Sequence, residues 1–133
     1  MPSVAVACDV SASSRPRVTR NGVYFTPGTK ALRSKIRTAW ERSGNGVTEG
    51  PVSVTVRVFR SIPKSKPKKM QIEPDIFKPD VDNIAKNVLD ALNGVAFTDD
   101  RFVVSLLIEK RPRTRCEEHI YIEIHKAGNA FTQ

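Results

Sequence analysis

Between Lys78 and Asp100 the sequence reads KPDVDNIAKNVLDALNGVAFTDD, which sets Asp80, Asp82, Asp99 and Asp100 on either side of Lys86. Carboxylates crowded together repel unless a cation neutralises them. Hard oxygen donors of this kind suit Mg²⁺, with Mn²⁺ as a substitute, and leave positions for water and a phosphate oxygen. Such an ion lowers the pKa of a bound water and screens phosphate charge, as phosphodiester hydrolysis requires. Lys86 would act as a point charge that stabilises the developing transition state or positions the water.

Local geometry allows these groups to meet. Pro79 pushes Lys78 out of the helical region. In an extended stretch positions i and i+2 share a face, so Asp80 and Asp82 point the same way. A helix follows, with Asp82 as its N-cap, Ile84, Val88, Leu89 and Leu92 as its apolar stripe and Gly94 as its stop. Lys86 lies one turn beyond Asp82, away from that stripe. A helix over Asn83–Asn93 is ~16 Å long. The connection Gly94–Asp99 spans at most ~20 Å, just enough to bring Asp100 back to the Asp80/Asp82 end. Taken singly, each feature has an ordinary explanation: an N-cap, an i,i+4 helix pair, a solvated Asp-Asp loop. Their spacing within a basic chain favours a site.

The elements around this segment read as one α+β domain over residues 1–133, a mixed β-sheet with two main helices packed on it. Arg15, Arg17 and Arg20 precede a turn at Asn21-Gly22. Thr29 to Arg42 reads as a basic helix with Leu32, Ile36, Ala39 and Trp40 on one face. Val52, Val54, Val56 and Val58 alternate with Ser53, Thr55, Arg57 and Phe59, the period of a half-buried strand. The stretch 60–72, with two prolines and Lys64, Lys66, Lys68 and Lys69, reads as a flexible basic loop. Residues 101–110 and 117–125 read as two strands, joined through Arg111–Arg115 into a basic-tipped hairpin.

Charge separates the two halves. The chain carries 22 Lys/Arg against 14 Asp/Glu, a net charge of +8. Residues 1–72 hold 14 cations and 3 acids, whereas seven of the remaining acids fall between Glu73 and Asp100. The basic half favours a polyanion such as nucleic acid. No apolar run approaches the ~20 residues of a membrane span, and the start lacks the pattern of a secretory signal. Cys8 and Cys116 are too few for a disulfide scaffold, so a reduced, cytoplasmic protein is expected. Neither sits in a Cys/His cluster, so zinc is not expected.

The run Pro79-Asp80-Val81-Asp82-Asn83, then Lys86, Leu89-Asp90-Ala91-Leu92 and Asp99-Asp100, resembles the hallmark of the RusA family of Holliday junction resolvases. The likeness is close over residues 79–104. A weaker echo lies in Arg15-Pro16-Arg17-Val18 and Tyr24-Phe25-Thr26-Pro27, while Cys8–Ser14 lacks the proline-rich beginning of many members. The resemblance implies a Mg²⁺-dependent endonuclease of bacterial or phage origin. It would act on four-way DNA junctions as a homodimer, with one acidic site for each cut strand. Catalytic aspartates fall on Asp80, Asp82 and Asp100 and the essential lysine on Lys86. Asp99 is an auxiliary ligand, and Asp90 orients the helix or supports the ligands. Arg15, Arg17, Arg20, Lys64, Lys66, Lys68, Lys69 and Lys78 are the expected DNA contacts. The Trp40 side of the basic helix is one candidate dimer surface, but a buried core face is its expected use.

Two other classes compete. A non-catalytic module for branched nucleic acid would need no metal. A nucleotide phosphohydrolase would use the same carboxylates, but a single nucleotide does not require the cations of residues 60–69.

Overall fold

The longest apolar alternations in the chain become the two central strands. In the computed structural model, which describes residues 2–12, 17–24 and 26–127, the first elements are strand β1 (Ser3–Ala7), strands β2 (Arg17–Thr19) and β3 (Gly22–Tyr24), and helix α1 (Pro27–Ser43). For Ala12, residues 17–19, Val23 and Tyr24 only the backbone is described. The Thr26 hydroxyl caps α1 by accepting from the Thr29 amide at 3.3 Å, Pro27 opens it, and Gly44 ends it at φ 76°. That left-handed conformation suits glycine, which lacks a Cβ. Leu32, Ile36 and Trp40, spaced by four, are buried on one face. Trp40 is fully enclosed and its indole N–H donates to the Gly46 carbonyl at 2.9 Å, so it belongs to the core and is not a pairing surface.

Strand β4 (Val52–Phe59) follows, with all four of its valines fully buried. After it come strand β5 (Ile72–Glu73), helix α2 (Val81–Leu92), strand β6 (Val103–Lys110), strand β7 (Arg113–Thr114) and strand β8 (His119–Lys126). The main sheet is mixed, in the order β1-β8-β4-β6. Val54, Val56 and Val58 lie opposite Ile124, Ile122 and Ile120 of antiparallel β8, and these residues form the floor of the core. The described residues therefore form an α+β unit with two main helices, as expected. Among them no helix is long and apolar enough to cross a membrane.

Two sequence expectations are corrected. Strands β6 and β8 are not a hairpin, because β4 lies between them, parallel to β6 and antiparallel to β8. Parallel neighbours need a long crossover, and α2 supplies it between β4 and β6. The isoleucines of β8 then pair with the other side of β4, where they meet its inward valines. The supposed basic tip is also partly internal. Arg113 is buried and donates to the Ser61 carbonyl, while Arg115 donates to the carbonyls of Pro63, Pro67 and Met70.

Helix α2 also starts earlier than expected. Asp80 is its N-cap, extended at φ −73° and ψ 159°, and its carbonyl accepts from Ile84. Asp82 lies in the first turn. The physical reason is that Pro79 fixes an extended approach, and the first residue free of that restriction takes the cap position.

Candidate active site

Helix α2 orders the site through its amphipathic pattern. Ile84, Ala85, Asn87, Val88, Ala91 and Leu92 are buried, whereas Val81, Asp82 and Lys86 are exposed and Asp90 is half-buried. Asp82, Lys86 and Asp90 are spaced by four and share one side of the helix. The expected extended-chain alignment of Asp80 with Asp82 does not apply, because Asp82 is already helical. Both residues instead occupy the N-terminal end of α2, where unpaired amides and the helix dipole favour negative charge. Asp80 is exposed and makes no side-chain capping bond.

The other end of α2 holds the second acidic group. The chain turns sharply at Asn93–Phe97, with the Val95 and Ala96 amides donating to Leu92 and the Gly94 amide to Phe97. Asp99 and Asp100 follow, just before β6. A hydrogen bond that the protonated Asp100 carboxyl donates to Asp99 raises the Asp100 pKa from its ordinary value. Partial desolvation and the negative charges of Asp99 and Asp90 raise it further. Two carboxylates in such contact gain from sharing a proton or a cation.

Asp100 thus senses Asp90, which lies eight residues beyond Asp82, or about 12 Å along the helix axis. The four candidate ligands accordingly form two pairs along α2. Among the described residues no group of three or more His, Cys, Asp or Glu stands together as a metal site. The donor chemistry fits a hard divalent ion, since all four are carboxylates and three are exposed, with Asp99 half-exposed.

The other acids of this region are held by basic side chains from elsewhere in the fold. Asp90 accepts from Arg33 of α1 at 2.9 Å, and the same guanidinium reaches the buried Asn87 amide oxygen at 2.7 Å. Asn87 in turn donates to the Asn83 carbonyl. Asp90 therefore ties α2 to α1. Glu73 faces Arg113 at 3.7 Å and Lys66 at 3.9 Å, and Asp75 faces Arg60 and Lys110. Sequence reasoning missed Arg33, Asn87, Arg60, Asp75 and Lys110. Only Arg60 and Lys110, each near the end of a predicted strand, carried any local sign of a fixed position.

The basic candidates divide similarly. Lys64, Lys68, Lys69 and Lys78 are exposed, as is Arg20 at the β2–β3 turn. Lys66 is drawn to Glu73 and lies over the Phe77 ring. The loop that carries these lysines contains two turns, closed by Lys66 donating to Pro63 and Met70 to Pro67, and Arg115 clasps them. Arg15 lies outside the described residues, as does the Arg17 side chain.

The family model for endodeoxyribonuclease RusA matches residues 8–125, which include every element from α1 to the two acidic pairs. The uncharacterized protein YqaN of Bacillus subtilis (strain 168) is similar, with 44% identity over 112 residues covering 74% of this chain and 79% of that protein. With the match running through both sheet and site, the chain belongs to the RusA family of endodeoxyribonucleases, enzymes of the Holliday junction.

Proposed function

We propose that the chain resolves four-way DNA junctions by Mg²⁺-dependent hydrolysis, making paired nicks that leave 5′-phosphate and 3′-hydroxyl ends. One observation carries this reading. The charged residues of the family motif are presented to solvent: Asp80, Asp82 and Lys86 are exposed at and along α2, Asp100 is exposed beyond its end, and Asp99, 3.7 Å from Arg101, is half-exposed against Asp100. Asp80 and Asp82 at one end of α2, and Asp100 with Asp99 as auxiliary at the other, would hold the divalent metal. When bound, the ion would polarise the phosphate and acidify a water. Lys86, between the acidic pairs, offers a cation toward the charge that develops on phosphorus. The α2 N-terminus adds amides that favour a phosphate oxygen. Two free thiols, one of them Cys8 with its pKa pushed up to about 11 by burial, fit a reducing cytoplasm in a bacterium or its prophage.

The cleavage experiment uses a labelled junction beside a linear duplex of the same sequence. The expected outcome is symmetric, ligatable nicking of the junction that EDTA stops, with the linear duplex left intact. Asp80→Asn and Asp82→Asn should each abolish cutting while junction binding persists, because an amide replaces a hard ligand without changing shape. Junction binding with no cleavage under any divalent ion would support the non-catalytic reading instead.

Coordinated cutting is met most simply by a two-fold homodimer. Strand β6 favours such pairing. It lies at the sheet edge, and Val104, Leu106 and Leu107 are 45, 39 and 49% exposed. Long apolar edges invite pairing with another chain. Light scattering at micromolar concentration should report a dimer, and Leu107→Lys should weaken it. A monomer that still makes paired cuts would contradict this assignment.

Lys64, Lys68 and Lys69 would meet the phosphate backbone without reading bases. Lys66 is engaged by Glu73, so a Lys64/Lys68/Lys69 triple alanine variant should flatten log affinity against log salt by about 3 units per subunit, roughly 0.9 per lost contact. An unchanged slope would move the contact to Arg15, Arg17 and Arg20.

A further inference from the structure

The chain between β5 and α2 leads directly into Asp80 yet has no helix or strand pairing of its own. Side chains hold it instead. The Asp75 side chain is fully buried, with one carboxylate oxygen 3.3 Å from the Arg60 guanidinium and 3.5 Å from the Lys110 ammonium. Both cations also reach the backbone beyond Asp75. Arg60 donates to the Lys78 carbonyl at 3.0 Å, and Lys110 donates to the Phe77 carbonyl. Arg60 directly follows β4 and Lys110 is the last residue of β6, so the two cations project from the C-terminal ends of adjacent parallel strands. The Phe77 ring is flanked by the Arg113 guanidinium, 5.3 Å from its centroid.

This arrangement is poor as a purely stabilising device. A buried ion group gains little over apolar residues of similar volume. Here the second Asp75 oxygen and the Arg60 Nε are buried without a hydrogen-bond partner. What the charges supply is direction, because the same two donors that face Asp75 also fix the Phe77 and Lys78 carbonyls, just ahead of Pro79 and Asp80.

We propose that Asp75, with Arg60 and Lys110, is a positioning residue of the nuclease reaction. Its carboxylate orients the two cations, and they fix the backbone at Phe77 and Lys78, so that Asp80 presents its carboxylate at a set place beside Asp82. None of the three touches substrate. The proposal rests on the nuclease reading above, and its test separates the two.

Asp75→Asn and Lys110→Met remove the charge or the donor at similar volume, and Lys110→Arg restores both. The first measurement is amide hydrogen exchange over residues 74–81, which needs no activity. The second is single-turnover cleavage of the junction in Mg²⁺, together with the Mg²⁺ concentration for half-maximal rate. Junction affinity is measured in Ca²⁺. Both disrupting variants should exchange faster than wild type over 74–81. They should cut about 100-fold more slowly, the cost of a misplacement near 1 Å. They should need more Mg²⁺ and bind the junction as wild type does, and Lys110→Arg should recover most of the rate. Wild-type exchange in both variants would overturn the proposal, as would a wild-type cleavage rate despite faster exchange. If Asp75→Asn does not fold, Lys110→Met, which keeps the Arg60–Asp75 pair, decides both measurements. A wild-type protein that never cuts would instead sink the nuclease reading and leave the exchange result to judge the positioning role.

Discussion

Parallel strands cannot be joined by a tight turn, and the parallel pairing of β4 with β6 governs the rest of this fold. The chain must leave β4 at one end of the sheet and start β6 from the other. Helix α2 makes that return, so its N-terminus lies near the strands' C-terminal ends and its C-terminus near the start of β6. Asp80 and Asp82 are therefore tied to one end of the helix and Asp99 and Asp100 to the other. The separation of the acidic pairs is a consequence of topology. Binding sites in open sheets with helices commonly sit at the C-terminal ends of parallel strands, and the segment that delivers Asp80 is docked there.

Charge inside this protein is used in two ways. On the outer face of the sheet, Arg57 lies between Glu109 and Glu123, and hydrogen bonds from His125 and Tyr121 hold the Glu123 pKa below its usual value. Those pairs are half-exposed to solvent, which screens them and limits what they stabilise. Under α2 and its leading segment, Arg33, Arg60, Lys110 and Arg113 are mostly withdrawn from water and bind acids close in sequence to the motif. Removing one member there would strand the other, which costs far more than breaking a surface pair. The clustered acids of the second half thus serve two purposes. Glu73, Asp75 and Asp90 are structural anions, and the motif aspartates are the ones left at the surface.

Sequence periodicity revealed what depends on neighbours. The valines of β4, the isoleucines of β8 and the Leu32/Ile36/Trp40 face of α1 declared their elements because burial repeats at the period of the backbone. Pairing was not legible in the same way. Nothing local says that β8 joins β4 instead of β6, since that choice depends on how α2 crosses the sheet. The start of α2 was misjudged by two residues, because Asp80 and Asp82 are equally good caps and only the docked approach of the chain selects between them. The partners of Asp75 and Asp90 lie far off in sequence: Arg60, Lys110 and Arg33. Ion pairs across such distances leave no periodic trace, whereas the motif aspartates were legible through their type and spacing.

If the motif aspartates are the metal ligands, the pairs at both ends of α2 bind divalent cations. The most direct measurement is Mn²⁺ binding by electron paramagnetic resonance, comparing wild type with Asp82→Asn and Asp100→Asn. Each substitution should then weaken Mn²⁺ binding, and the two effects should add. Loss of binding in Asp100→Asn with wild-type binding in Asp82→Asn would contradict this assignment, by placing the ion on the Asp99–Asp100 pair alone.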